Sequence, residues 1–187
     1  EIRSKQPEFR DEKRARYREE YQIPDYDIDI ITNSKKLADI FEDTIALGAA
    51  PKKVSNWLMV ETMRLLKENV MDPEDMKFSA ENLAKLIKLV DDRVINGGVA
   101  KEVFEHVFAE DIDPEAYVKE HGLATVNDEG ALKTACEAAI AGNSKAVEDY
   151  KGGKEKALGA LVGQVMKAMK GKADPGSVNQ MLRELLK

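Results

Sequence analysis

Side chains that could do chemistry concentrate in one short stretch, residues 151–172, which holds six lysines and a single glutamate. Lysine carries a compact positive charge on a flexible stem, so it contacts phosphate groups as a point charge and rarely reads base edges. The apolar residues of the stretch recur at helical spacing, which predicts a helix over residues 155–172. Gly159 and Gly163 lie inside that helix, although an interior glycine costs about 1 kcal/mol relative to alanine.

A helical wheel places these two glycines on the side of the helix that carries lysines. The apolar side comprises Leu158, Leu161, Val162, Val165 and Met169, and the opposite side comprises Lys156, Gly159, Ala160, Gly163, Lys167 and Lys170. A sugar–phosphate backbone could approach such a bare, positively charged strip closely, and its binding would weaken steeply with salt. Small residues four apart also let two helices pack closely, and a lysine face is often only solvated. Periodicity alone leaves both interpretations open.

No catalytic or metal-binding constellation is recognisable in the sequence. Glu102 and His106 are four apart on a predicted helix, but a pair without further ligands indicates a surface pair. His121 precedes a glycine, where an imidazolium would interact favourably with a helix C-terminus. The segment KGGKEK lacks the strand and the GKS/T ending of a phosphate-binding loop. Cys136 has a helical-period position that favours the core over a nucleophile. We therefore predict no catalytic residue, no metal site and no activity for these residues alone.

The composition predicts a folded globular chain, with 43% hydrophobic and 34% charged residues. No run approaches the roughly 18 apolar residues of a membrane-spanning helix, so we expect no membrane association. A single cysteine excludes an internal disulfide and favours a reducing compartment, so we expect a cytoplasmic protein. The sequence starts EIRSKQPEF, without a methionine, which favours a piece of a longer protein.

The charge is unevenly distributed along the chain. The net charge is −6, but residues 145–187 hold nine Lys/Arg against five Asp/Glu, and the remainder holds 20 against 30. This asymmetry suggests a basic binding end on an otherwise acidic protein. Residues 1–20, with seven basic and six acidic side chains, predict a helix that is charged on all sides and either solvated or in contact with a partner.

Strand patterns are nearly absent, so we predict an all-α fold: a multi-helical bundle followed by a smaller helical tail domain. We expect Ser34 to cap one helix and Pro51 to open the next, whose apolar residues surround most of its circumference as in a bundle centre. A further helix is expected from Ser79 up to the sequence NGG at residues 96–98. We place the domain boundary in the polar segment EHGLATVNDEG, giving a helical domain over residues 1–121 and a tail domain over residues 122–187.

The tail sequence resembles a known family. It reads VEDYKGGKEKALGALVGQVMKAMKGKADPGSVNQMLRELL and is similar to the C-terminal tail of the B subunit of aspartyl/glutamyl-tRNA amidotransferase (GatB), which YqeY proteins share. LADIFED, KKVSNWLM and INGGVAKEVFE resemble the preceding helical domain, so the resemblance covers essentially the whole chain. The opening EIRSKQPEFRDEKRARY resembles the exit from the family's catalytic cradle, but it lacks the leucine before Pro7 and the proline near Arg10 that are usual there.

The resemblance implies a helical domain and tail that bind tRNA(Gln) or tRNA(Asn) and position the misacylated Glu-tRNA(Gln) or Asp-tRNA(Asn) for amidation. It implies an amidase (A) subunit and a small (C) subunit as partners, and ATP and magnesium as cofactors of the full complex, with none held by this chain. The tRNA-binding residues it implies are Lys151, Lys154, Lys156, Gly159, Gly163, Lys167, Lys170, Lys172 and Asn179. For Asn179, a role as a helix cap or on the helix surface is an equal alternative.

Other interpretations stay open. A stand-alone YqeY-like protein is a weaker one, because the helical segments before the tail argue against it. The chain could be a protein-contacting helical scaffold of the complex without direct RNA contact. Gly97 and Gly98 could contact tRNA, although a turn that requires positive φ is the favoured interpretation for them.

Overall fold

The computed structural model describes residues 8–125 and 129–187, and every regular element in these two ranges is helical. The predicted all-α fold is therefore confirmed. The part of the opening segment before Glu8, with Pro7, and residues 126–128 of the polar connector lie outside the described residues. None of the described helices is long and apolar enough to span a bilayer.

The chain divides into two compact units. One takes in the chain up to Lys88 together with Lys101–Tyr117, and the other takes in Leu89–Ala100 together with Val118–Lys187. The α-helices are α1 Arg10–Arg16, α2 Asp25–Asn33, α3 Lys35–Ala46, α4 Pro51–Asn56, α5 Met63–Glu68, α6 Ala80–Asp91, α7 Gly97–Glu110, α8 Pro114–Glu120, α9 Glu129–Ala141, α10 Ser144–Lys151, α11 Lys156–Ala168 and α12 Pro175–Leu185. The other helical elements are two π-helical segments, Tyr17–Tyr21 and Trp57–Thr62, and a 3₁₀ turn, Pro73–Asp75.

The predicted helix starts follow from local chemistry. The Ser34 hydroxyl accepts a hydrogen bond from the Leu37 amide at 3.2 Å and so caps α3. Pro51 occupies the first turn of α4, where its missing N–H leaves no bond unmade. The Asp174 carboxylate accepts from the Ser177 amide at 2.8 Å in front of α12. The expectations for Ser34 and Pro51 are confirmed.

Ion pairs connect the first helix to α2 and α3 of the first unit. No residue of α1 is buried, but its Lys13 lies 3.1 Å from the Glu42 carboxylate and its Arg14 pairs with Asp29. Tyr17, which follows α1, is fully buried, and its hydroxyl donates to Glu42 at 2.5 Å. Several charges of this segment are therefore paired within the unit, which the sequence pattern did not predict.

The helix over residues 51–68 is not apolar on all sides, so that prediction was wrong. Its middle turns are π-helical, and the Thr62 hydroxyl donates to the Trp57 carbonyl five residues earlier. The wider turn shifts the register of the side chains, so that Glu61 and Thr62 are buried while Val60 is 49% exposed. Glu61 is paired with Lys101 at 2.9 Å and with Arg64 at 3.2 Å.

The second unit has its own core, built mainly by α9, α11 and α12. Its buried members include Leu132, Cys136, Leu158, Leu161, Val165, Val178 and Leu182. Burial of one such aliphatic side chain contributes about 1.5–3 kcal/mol. Cys136 is fully buried, as predicted, and this burial raises the pKa of its thiol.

Candidate nucleic-acid interface

The two glycines of α11 lie on its solvent-exposed side. Leu158, Leu161 and Val165 are buried on the opposite side, as the helical wheel predicted. A methyl group added to Gly159 or Gly163 would meet no atom within 4 Å, so no neighbouring helix covers them in the described part of the chain. The expectation that these glycines remain accessible is therefore confirmed.

Lys156 and Lys167 flank the glycines on the same exposed side. With about 1.5 Å rise per residue, their Cα atoms lie about 16 Å apart along the helix. Among the described residues no carboxylate pairs with either ammonium group. We call Lys156, Gly159, Gly163 and Lys167 the lysine–glycine face.

The absence of carboxylate partners among the described residues distinguishes this face from four basic side chains in and beside α1. There Lys13, Arg14, Arg16 and Arg18 each pair with an acidic residue. An ion pair cancels much of the field of a cation, whereas the ammonium groups of the lysine–glycine face have no such partner among the described residues. The face is therefore suited to a polyanion.

Lys170 is not on the helix, so its predicted place on the wheel was wrong, and Lys172 lies beyond the helix end as well. α11 ends at Ala168, and Lys170 follows in the left-handed conformation with φ of 52°. The Gly171 amide bonds back to the Met166 carbonyl at 2.8 Å and the Lys170 amide to the Lys167 carbonyl at 3.1 Å, the pattern of a Schellman motif. The resulting turn over residues 169–173, which we call the lysine turn, leaves Lys170 exposed and Lys172 half-buried.

The remaining predicted site residues lie on neighbouring segments. Lys151 ends α10 and is exposed, and Lys154 follows in the connection to α11. Lys154 pairs with Asp149 at 2.9 Å, and this hydrogen bond holds the pKa of Asp149 below its ordinary value. Asn179 lies half-buried on α12, where its carbonyl accepts from Arg183 at 3.2 Å. Lys154 and Asn179 thus already have partners within the chain.

The sequence NGG at residues 96–98 begins a helix, so the favoured interpretation as a turn with positive φ was wrong. Neither Gly97 nor Gly98 has positive φ, and both belong to the first turn of α7. Asn96 precedes them and accepts a hydrogen bond from the Val99 amide at 3.0 Å, which makes it the helix cap. The alternative role of these glycines in tRNA contact stays a prediction.

Asn96 was not singled out from the sequence, yet it contacts the lysine turn. Its side-chain amide donates to the carbonyls of Gly171 and of Ala173, the latter at 3.1 Å. The signal that could have found its capping role is the position of asparagine before a helical apolar pattern at Val99 and Val103. No sequence pattern predicts its hydrogen bonds to Gly171 and Ala173, which lie 75 and 77 residues later in the chain.

In the part of the chain that the structure describes, neither histidine belongs to a group of side chains that could hold a metal ion. His106 packs its ring against Tyr117 with 4.8 Å between the ring centroids. Within residues 8–125 and 129–187 no group of three or more His, Cys, Asp or Glu side chains could hold a metal ion.

Similarities to known proteins cover almost the entire chain. Residues 39–186 match a family model described as the GatB domain. The chain is 63% identical over 185 residues to the B subunit of the aspartyl/glutamyl-tRNA(Asn/Gln) amidotransferase of Agathobacter rectalis, a match that covers 99% of this chain and 39% of the relative. The corresponding protein of Lachnospira eligens is 58% identical over 193 residues, with 100% and 40% covered. That of Caldicellulosiruptor bescii is 48% identical over 189 residues, with 100% and 39% covered. These matches confirm the resemblance, and the chain spans about 40% of the length of these relatives.

Proposed function

This chain belongs to the GatB domain family, and from that premise we propose that its second unit binds tRNA through the lysine–glycine face and the lysine turn. The observation that carries the proposal is the exposure of Gly159 and Gly163 between two lysines without carboxylate partners among the described residues. A sugar–phosphate backbone can approach the bare helix there, while the ammonium groups neutralise its phosphates.

The interface we propose recognises the shape of folded RNA and not its sequence. Its cations are lysines, which act as point charges without the planar fork that arginine presents to base edges. Lys151 and Lys170 extend the positive surface beyond both ends of α11. Lys154 and Asn179 would have to exchange their present partners for RNA groups.

We place this binding surface in the B subunit of a tRNA amidotransferase. The names of the relatives carry that assignment, and it implies that the chain positions Glu-tRNA(Gln) or Asp-tRNA(Asn) for ATP- and glutamine-dependent transamidation. The amidase and small subunits would be its protein partners, in the cytoplasm. The groups that bind ATP and magnesium would belong to another part of the complex.

A titration of the chain with tRNA(Gln) and tRNA(Asn) transcripts at 50 and 200 mM salt tests the proposal. Contacts from four lysines would lower the affinity by about 50- to 150-fold between these salt concentrations. A duplex DNA of matched length serves as the control for unspecific attraction to phosphate. Absence of tRNA binding at both salt concentrations, or an affinity that does not change with salt, would contradict the proposal.

The scaffold alternative has its own supporting observation. Large apolar side chains of the first unit are exposed, among them Phe9 at 67%, Tyr26 at 73% and Leu47 at 57%. Such side chains suit contact with a protein partner. If the first unit is the only contact surface, removal of the α11 lysines leaves tRNA amidation by the assembled complex unchanged.

A further inference from the structure

Asn96 bridges the start of one helix and a distant turn of the same unit. Its carbonyl oxygen accepts from the Val99 amide at 3.0 Å, and its amide group donates to the carbonyls of Gly171 and Ala173. The side chain is half-buried, so these bonds compete with water less than they would at an exposed site. A single side chain therefore satisfies backbone groups of both segments.

The backbone of the lysine turn is unusual, so an anchor from outside the turn would help to hold it. Lys170 and Gly171 both have positive φ, at 52° and 73°. Lysine adopts this region reluctantly, since its Cβ crowds the following carbonyl. Ala173, immediately after Lys172, is fully buried, and Asn96 holds the carbonyls on either side of Lys172.

We propose that Asn96 is a positioning residue of the tRNA-binding surface: it holds the lysine turn so that Lys170 and Lys172 present their charges beside the lysine–glycine face. This inference rests on the proposed function. Asn96 itself does not touch the RNA. It acts by fixing the backbone that carries the two lysines, so that their ammonium groups reach the phosphates, and a turn without this anchor loses the two contacts.

The variant Asn96→Ser separates the two roles of the side chain. Serine is a good N-cap, so the bond to the Val99 amide can persist, but serine has no amide to reach the two carbonyls of the turn. Asn96→Asp is a second variant. Its carboxylate can still accept the hydrogen bond from the Val99 amide, but it would repel the carbonyl oxygens of Gly171 and Ala173. Asn143→Ser is the matched control, because Asn143 precedes α10 in the same unit and makes no side-chain cap bond.

Two measurements read out the effect. Hydrogen exchange at the amides of residues 170–173 is expected to accelerate in Asn96→Ser and to stay unchanged in Asn143→Ser. At 50 mM salt, Asn96→Ser is expected to bind tRNA about 5- to 10-fold more weakly. The slope of log affinity against log salt should become shallower by about 1.5, since two phosphate contacts are lost.

A double-mutant cycle decides whether Asn96 acts through the lysines. In a Lys170→Ala/Lys172→Ala background, Asn96→Ser should change tRNA affinity less than about 2-fold. An equal loss in both backgrounds, or unchanged exchange and affinity in the single variant, would overturn the role of Asn96. If the chain without substitutions fails to bind tRNA, the proposed function is wrong, whereas binding that Asn96→Ser leaves unaltered refutes only the positioning role.

Discussion

Gly159 and Gly163 lie one turn apart on the exposed side of α11, and an added methyl group would touch nothing at either position. The two glycines therefore lower the stability of the helix, although its packing requires no glycine at either position. Each interior glycine costs about 1 kcal/mol relative to alanine. The tRNA-binding surface that we propose, which must stay bare for its ligand, would account for this cost.

Substitution of these glycines is predicted to separate stability from binding. Gly163→Ala should raise the free energy of unfolding by about 0.5–1 kcal/mol, because alanine gains helix propensity and meets no obstacle. Gly159→Gln/Gly163→Gln should also stabilise the helix but should weaken tRNA binding about 10-fold or more, since the longer side chains cover the face. Thermal or urea unfolding and tRNA titration measure the two effects.

The exposed Ala160 provides the control for this pair. Ala160→Gln adds the same side chain between the two glycines without a gain in helix propensity, and it should weaken tRNA binding in the same direction. Destabilisation by the glutamines would show that the glycines have a structural role. Undiminished tRNA affinity would show that the RNA does not approach this side of α11.

Lys170 is a second position at which a substitution is predicted to raise the stability of the chain and to weaken tRNA binding. It occupies the position after the helix end where glycine is usual, with φ of 52°. Lys170→Gly should therefore raise the free energy of unfolding by about 1 kcal/mol, because it relieves the steric cost of a side chain in this region. The same change should lower tRNA affinity through the loss of one charge.

Lys170→Ala is the comparison: it loses the charge but keeps the strain, so it should weaken tRNA binding equally without the gain in stability. Equal unfolding free energies for the two variants would contradict this explanation.

Glu42 makes the stability of the chain sensitive to acid. Burial on its own would raise the pKa of Glu42, but hydrogen bonds from Tyr17, Lys13 and Arg16 outweigh it and hold the pKa below the ordinary value of 4.5. The unfolded chain then binds the proton first as the pH falls. The contribution of ionised Glu42 to the free energy of unfolding is fully present well above pH 4.5. It is lost as the pH falls through the lower pKa that Glu42 has in the folded state.

The free energy of unfolding should therefore decline less steeply in Glu42→Gln than in the unsubstituted chain as the pH falls below 4.5. Urea unfolding across about pH 3 to 7 measures this decline. Glu20→Gln is the control, because Glu20 is exposed and no hydrogen bond or ion pair engages its side chain among the described residues. A decline of the same steepness in Glu42→Gln and in the unsubstituted chain would rule out this contribution of the Tyr17–Glu42 cluster.

Features with a local cause could be predicted from the sequence, and features with a distant cause were missed. Ser34 and Pro51 mark helix starts through bonds within one turn, so their roles could be derived from neighbouring residues. The π-helical turns at Trp57–Thr62 change the period on which a helical wheel depends, so the burial of Glu61 was not foreseeable. Asn96 was missed because its partners are set by the tertiary fold.

The candidate site was predicted only in part. The exposed side of α11 followed from a period of 3.6 residues, because the helix packs on the core of its own unit. Lys170 was misplaced because the pattern does not reveal where a helix ends when lysine takes the place usual for glycine. The predicted contact with tRNA by these residues, and the predicted domain boundary after residue 121, stay predictions.

The most direct measurement is the salt dependence of tRNA binding by Lys156→Ala/Lys167→Ala, compared with Lys133→Ala/Lys145→Ala. The second pair removes the same charge from exposed positions on α9 and α10. We predict that the α11 pair lowers the affinity at 50 mM salt by at least about 10-fold and makes the slope of log affinity against log salt shallower by about 1.4–1.8. The control pair should leave the slope nearly unchanged. Equal slopes for the two double variants would contradict a tRNA-binding role of the lysine–glycine face.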